Sequence, residues 1–166
     1  RLCDKGKFLK IANQRCLDVL NKKFEKKFSI FKDKYNAKPP GGEGFYSHFD
    51  GVFMFKDTNG VEKKGWYEYS DFFINILIAL DNCNLENGTI EISKKIDLDF
   101  NDLLKLTRQD GTPNIKKDFE KTIEFEPIIL NPGDIVLFLN TCPHKSSKNN
   151  SMVDRRTLYF TYTEGT

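Results

Sequence analysis

The sequence predicts a mainly β protein, a double-stranded β-helix (jelly roll, cupin-like) with an N-terminal amphipathic helix, and three observations lead there. Six short segments rich in β-branched and aromatic residues follow one helical segment. The turns between them carry explicit Asn-Gly and Pro-Gly chemistry. A length of 166 residues supports one compact core and not two. Many short strands with strong turns at this length make a double-sheet roll more readily than a propeller or an immunoglobulin-like sandwich. The chain is therefore read as a single domain over 1–166, with a helix over about 4–28 and a β core over about 44–163.

The helix comes first because Phe8, Ile11, Ala12, Cys16, Val19, Leu20 and Phe24 recur at spacings of three and four, with lysines opposite. Lys38-Pro39-Pro40-Gly41-Gly42 then forbids any helix, since proline fixes φ and glycine opens left-handed conformations. Strands are expected over 44–55, 72–80, 89–92, 123–130, 135–140 and 157–163. Asp57-Thr58-Asn59-Gly60 suits a hairpin, Glu86-Asn87-Gly88 another, and Asn131-Pro132-Gly133-Asp134 a tight reversal. A short helix over 99–106 and a polar loop over 107–118 complete the layout, and no internal repeat is visible.

Composition excludes several classes of function. A content of 39% hydrophobic, 30% charged and 13% aromatic residues is that of a packed globular protein, not a disordered one. The longest apolar run, 72–80, is far short of the roughly twenty residues that span a bilayer and contains Asn75, so no membrane partner is expected. The four cysteines, Cys3, Cys16, Cys83 and Cys142, form no CxxC pair, which points to reduced, buried thiols rather than a zinc site or a disulfide framework. With the absence of a secretory signal pattern in the first ten residues, this predicts a cytoplasmic location, although the chain does not begin with Met. The net charge of +2 is a near balance. Lys22-Lys23 and Lys26-Lys27 read as a solvated helix face, so no nucleic-acid partner is expected, and oligomeric state stays open.

The chain has only two histidines, and both sit where a metal ligand would. His48 and Asp50 lie two apart on an expected strand and so share a face. His144 follows the strand 135–140 and a turn at Pro143, which brings it in from a neighbouring strand. Two imidazoles and one carboxylate leave three positions open on an octahedral iron(II), the requirement of an oxygenase that must bind a bidentate co-substrate and dioxygen. An isolated His-x-Asp on a strand carries little weight. Here it is joined by the distant His144 and by Arg155, eleven residues further on, which shares a strand face with Thr157. A guanidinium offers a planar fork to a carboxylate, and a hydroxyl two residues on adds a third bond, so the far end of a dicarboxylate fits there. The plainer role for such an arginine, a surface ion pair, falls to Arg156. Trp66-Tyr67-Glu68-Tyr69 reads as core packing before it reads as a substrate wall, Cys142 as a small buried residue, and Glu120, Glu124 and Glu126 as solvated surface.

Taken in order, the stretch from Phe31 through Lys38-Pro39-Pro40-Gly41-Gly42, then His48-Phe49-Asp50, Ala79-Leu80-Asp81, Glu86-Asn87-Gly88, and Gly133-Asp134 through His144 to Arg155 resembles the phytanoyl-CoA dioxygenase family of iron(II)/2-oxoglutarate oxygenases. That resemblance implies Fe(II), 2-oxoglutarate and O2 as cofactor and co-substrates. It makes His48, Asp50 and His144 the iron ligands and catalytic set, and Arg155 the grip on the distal carboxylate of 2-oxoglutarate. Thr157 and Lys38 carry over as co-substrate contacts, and Asn75 as a residue lining the pocket beside it. The implied reaction is hydroxylation of a small organic substrate with release of succinate and CO2. Asp50 favours hydroxylation over halogenation, because the related halogenases carry a small residue there. The chain departs from the family where Ile90-Glu91-Ile92-Ser93-Lys94 replaces the common Pro-Gly-Ser-His run. Family members are also longer, which implies trimming at both ends. The competing reading is a catalytically inactive metal-binding jelly-roll module, and the intact ligand set with Arg155 favours the enzyme.

Overall fold

The computed structural model describes residues 5–164. Asp4 and Cys3 lie outside the described residues, and helix α1 runs over Lys7–Phe24 after an extended Gly6. It stops short of the expected 28 because Glu25 turns left-handed (φ 52) and Phe28 opens a strand, β1, over Phe28–Lys38. Buried Phe28 and Ile30 alternate with exposed Ser29, a strand pattern that begins at the last residue of the expected helix. Pairing settles it: β1 runs antiparallel to β10 (Arg155–Glu164) from Phe28 opposite Glu164 to Lys38 opposite Arg155, with one bulge between Ile30 and Lys32.

Two antiparallel four-stranded sheets make the roll. The larger has the order β1-β10-β5-β8, with β5 over Phe73–Ala79 and β8 over Ile135–Leu139. The smaller has the order β2-β9-β6-β7, with β2 over Phe45–His48, β6 over Ile90–Ile92, β7 over Glu126–Pro127 and β9 over His144–Ser146. The predicted fold class holds. The expected strand 44–55 is broken after His48, and its end pairs instead as the small hairpin of β3 (Phe55–Lys56) and β4 (Glu62–Lys63). That hairpin turns at Asp57-Thr58-Asn59-Gly60 as expected, with Asp57 Oδ1 accepting from the Asn59 and Val61 amides at 2.9 Å each. Glu86-Asn87-Gly88 is not a hairpin: β5 and β6 belong to different sheets, so this turn carries the chain across the sandwich. The expected strand 123–130 shrinks to β7 and a single bridge from Leu130 to Cys83. Helix α2 (Phe100–Leu106) forms where expected, capped by the Asp99 carboxylate on the Asp102 amide at 2.9 Å, and a short α3 (Lys117–Glu120) interrupts the polar loop.

Alternation along β10 assigns its faces. Leu158, Phe160 and Tyr162 join Ile74 and Ile76 of β5 and Phe28 and Ile30 of β1 under Cys16 and Leu20 of α1, so the helix covers the outer face of the larger sheet. Arg155, Thr157, Tyr159 and Thr161 alternate with these and face inward. A separate cluster of Phe49, Val52, Leu103 and Ile115 lies under α2. Cys16, Cys83 and Cys142 are free and buried, and no helix among the described residues is long and apolar enough to cross a membrane.

Candidate metal centre

Local structure brings the two histidines face to face. His48 closes β2, His144 opens β9, and the two are direct antiparallel partners, with ring centroids 4.1 Å apart. Asp50 is not on the strand, yet it returns to the same side as His48 because the intervening Phe49 is completely buried in the cluster under α2. The backbone here is tied down: the Asp50 amide donates to the Asn140 carbonyl (3.1 Å), and Asn140 Nδ2 donates to the Asp50 carbonyl (3.3 Å). The Asp50 carboxylate lies 3.8 Å from His48 Nε2 through Oδ1 and 3.6 Å from His144 Nε2 through Oδ2. One ligand atom from each of the three falls within 4.8 Å of the others.

Each imidazole is held by its other nitrogen. His48 Nδ1 meets the Tyr46 carbonyl at 2.7 Å and His144 Nδ1 the Cys142 carbonyl at 3.0 Å. A carbonyl only accepts, so Nδ1 carries the proton and Nε2 presents its lone pair to the centre, the arrangement of a metal-ligating histidine. Burial, reinforced by the neighbouring His48, lowers the His144 pKa to about 4, which keeps the ring neutral at physiological pH. Burial alone would raise the Asp50 carboxyl. The two imidazoles, the Tyr159 hydroxyl and Lys34 outweigh it and hold the carboxyl below its usual value.

Arg155, at the start of β10, is buried (3% exposed) and lines the same cleft as His48, Asp50 and His144. Its Nε and the Thr157 Oγ1 two residues along are buried without a hydrogen-bond partner among the described residues. A buried guanidinium with an orphaned donor is costly unless an anion completes it. Arg156 points outward into a two-bonded ion pair with Asp81 (2.8 and 2.7 Å), the surface role expected of it.

Two residues expected to meet a co-substrate are placed elsewhere. The three protons of Lys38 Nζ go to the Gly88 carbonyl (3.1 Å), Ser146 Oγ (2.9 Å) and the Ser147 carbonyl (2.6 Å), so this lysine ties the sheets together rather than facing the cleft. Asn75 is fully buried behind the carboxylate, donating to Asp50 Oδ2 at 2.9 Å. Among the residues that share the cleft and were missed are Lys34, Asn36 and Tyr159. Lys34 Nζ lies 5.1 Å from the Tyr159 ring centroid and 5.4 Å from that of Phe45, and burial lowers its pKa. A period-two reading inward from Arg155 and Thr157 would have reached Tyr159. No local signal marks Lys34, which lies between the expected helix and the Lys38-Pro39-Pro40-Gly41-Gly42 turn in a stretch to which the sequence pattern assigns no element.

A second, wider cleft opens beside His48 and Asp50 between Lys32, Trp66, Phe53, Tyr46 and Asn114. Lys32 Nζ sits 5.2 Å from the Trp66 ring. Of the aromatic run after Lys64, Trp66 is a cleft wall and also packs on Phe31 and Phe73, whereas the Tyr67 hydroxyl meets Asn140 at 3.0 Å. The segment that departs from the family pattern forms β6, with Ile92 opposite His144 and Ile90 in the first cleft. Cys142 is buried and offers the centre only its carbonyl, and Glu124 and Glu126 are exposed.

Similarity to known proteins agrees with this geometry. A methylphosphonate hydroxylase from Gimesia maris is 33% identical over 133 residues, 80% of this chain and 44% of the relative. A 2-aminoethylphosphonate dioxygenase from an uncultured bacterium is 29% identical over 133 residues, 80% of this chain and 45% of the relative. The chain thus spans under half the length of both relatives. Among solved structures, the non-haem alpha-ketoglutarate-dependent carbocyclase SnoK of nogalamycin biosynthesis superposes with a TM-score of 0.67 at 12% identity, over 98% of this chain and 61% of SnoK. EctD from S. alaskensis, solved with 2-oxoglutarate and 5-hydroxyectoine, does so with a TM-score of 0.64 at 16% identity, over 90% of this chain and 49% of EctD. At such identities these two speak to the fold alone. The sequence profile of the family described as phytanoyl-CoA dioxygenase (PhyH) matches residues 3–157, a span that takes in both histidines, Asp50 and Arg155, and the chain belongs to that family.

Proposed function

We propose that this chain carries the catalytic centre of an iron(II)- and 2-oxoglutarate-dependent dioxygenase that hydroxylates a small organic molecule. The observation that carries the reading is the buried Arg155 with its unpartnered Nε, in one cleft with two imidazoles and a carboxylate whose ligand atoms converge. The donor set suits iron(II), and the orphaned guanidinium suits the distal carboxylate of the co-substrate. His48, Asp50 and His144 would hold the metal, Arg155 would receive the carboxylate, and Lys34 adds positive charge to the same cleft, while Thr157 is buried two residues along and is not among the cleft's lining residues. Bound iron and 2-oxoglutarate supply activation of dioxygen, with release of succinate and CO2. The chain's own residues orient the co-substrate, and burial keeps the His144 imidazole neutral.

The wider cleft is where the primary substrate would approach the metal. Asp50 is its only acidic lining residue among the described residues, while Lys32 and Lys34 are both basic. A small anion is therefore favoured over a cation. Together with the names of the two relatives, this makes an organophosphonate the substrate class to test, with methylphosphonate and 2-aminoethylphosphonate first. The free, buried thiols suit a reducing compartment such as the cytoplasm.

Anaerobic titration of the iron(II)-loaded protein with 2-oxoglutarate tests the reading through the weak visible metal-to-ligand charge-transfer band. The band should form in the wild type, and Arg155→Ala should need about 10–100-fold more 2-oxoglutarate, the loss of a charge-assisted hydrogen-bonded pair. Stoichiometric iron with no band at any concentration would leave an inactive metal-binding module instead.

A further inference from the structure

We propose that Asn75, Tyr159 and Thr161 form a clasp that restricts Asp50 to a one-oxygen metal ligand, and so act as positioning residues for the iron centre. This inference rests on the functional reading above. Asp50 Oδ2 accepts two hydrogen bonds, from Asn75 Nδ2 at 2.9 Å and from the Tyr159 hydroxyl at 3.0 Å. Two donors match the two lone pairs that one carboxylate oxygen offers, and the Tyr159 hydroxyl also lies 3.5 Å from His144 Nε2. Oδ1 accepts no hydrogen bond among the described residues and lies on the His48 side, 3.8 Å from Nε2.

The clasp is itself oriented. Thr161 stands opposite Asn75 in the β10–β5 register, and its hydroxyl donates to Asn75 Oδ1 at 2.8 Å. An amide whose oxygen is engaged on one side must turn its NH2 to the other, which here means toward Asp50. Asn75 and Thr161 are wholly buried and Tyr159 is 8% exposed, so water cannot readily replace these bonds.

The consequence is chemical. A carboxylate gripping the metal through both oxygens would fill one of the three positions that a bidentate co-substrate and dioxygen require. Holding Oδ2 off the metal keeps that position open. The larger sheet thereby steers a ligand that is carried by the loop after β2 of the smaller sheet.

Cobalt(II) binding tests this without turnover, using chelator competition for affinity and the d–d absorption for coordination. Asn75→Leu should weaken cobalt(II) binding by about 10–100-fold and alter the d–d spectrum, as losses of ligand-orienting partners do. Tyr159→Phe and Thr161→Val should shift both readouts in the same direction, and Thr161→Ser, which restores the hydroxyl, should return them to wild type. Should Asn75→Leu not fold, the Thr161→Val and Thr161→Ser pair decides, with far-UV circular dichroism as the control. Wild-type affinity and spectrum in folded Thr161→Val and Tyr159→Phe would overturn the clasp and leave the functional reading intact. A wild-type chain that binds no cobalt at all would overturn both.

Discussion

Asp50 is followed by a glycine for a steric reason. Gly51 has φ +80, and a Cβ there would stand 2.6 Å from Trp66 Cγ, while its carbonyl takes the Trp66 amide at 3.2 Å. Gly51→Ala should destabilise the protein by about 1–3 kcal/mol in chemical denaturation, the cost of a side chain in a left-handed conformation. It should also weaken metal binding, because Asp50 hangs on the same turn. A wild-type unfolding midpoint would show that the turn yields easily. At this scale the sequence was most legible where chemistry is rare: two histidines in the whole chain, each placed against a strand, and an arginine on a two-residue period with Thr157. It was least legible for lysines, which are abundant. Lys38 spends its protons on the Gly88 and Ser147 carbonyls and Ser146 Oγ, whereas Lys34, four residues earlier on the same strand, is the one in the cleft.

Elements were recognised more reliably than their ends. Helix α1 was visible from its period, and the packing explains why it matters: Leu20 is fully buried between the helix and the outer face of the larger sheet. Leu20→Ala should cost about 2–5 kcal/mol of stability by urea unfolding. Cobalt(II) affinity measured without denaturant should stay at the wild-type value, because α1 touches the face away from the metal centre. A change in affinity comparable to that of the clasp variants would mean that the two faces of the sheet are coupled. The strand β1 escaped the sequence reading because its middle, from Lys32 to Asn36, is polar. Those polar residues line a cleft instead of a core: Lys32, Lys34 and Asn36 all face the site, so the hydrophobic alternation that betrays a strand is missing where function needs charge.

For the whole molecule, acid and metal should act in opposite directions. The His144 pKa is about 4 in the folded protein against 6.5 for a free imidazole, so the unfolded chain takes up a proton that the folded chain refuses between those values. Stability of the metal-free protein should therefore be full above pH 6.5 and fall as the pH drops toward 4, read as a declining Tm, with the lowered Asp50 adding to the loss in acid. A flat Tm across that window would mean that the ring is already protonated in the fold. Saturating cobalt(II), which binds only the folded centre, should add about 2.7 kcal/mol at a hundredfold excess over its Kd. The sequence by itself determined the fold class, the three candidate metal ligands and the face shared by Arg155 and Thr157, because period, turn chemistry and residue rarity act within a few residues. Only the tertiary structure decided which groups meet across the roll. Thr161 reaches Asn75 across 86 residues, Tyr159 reaches Asp50 across 109, and Lys38 is bound to Ser147. Those meetings are set by sheet register and by which faces oppose, and no local pattern in the chain encodes either.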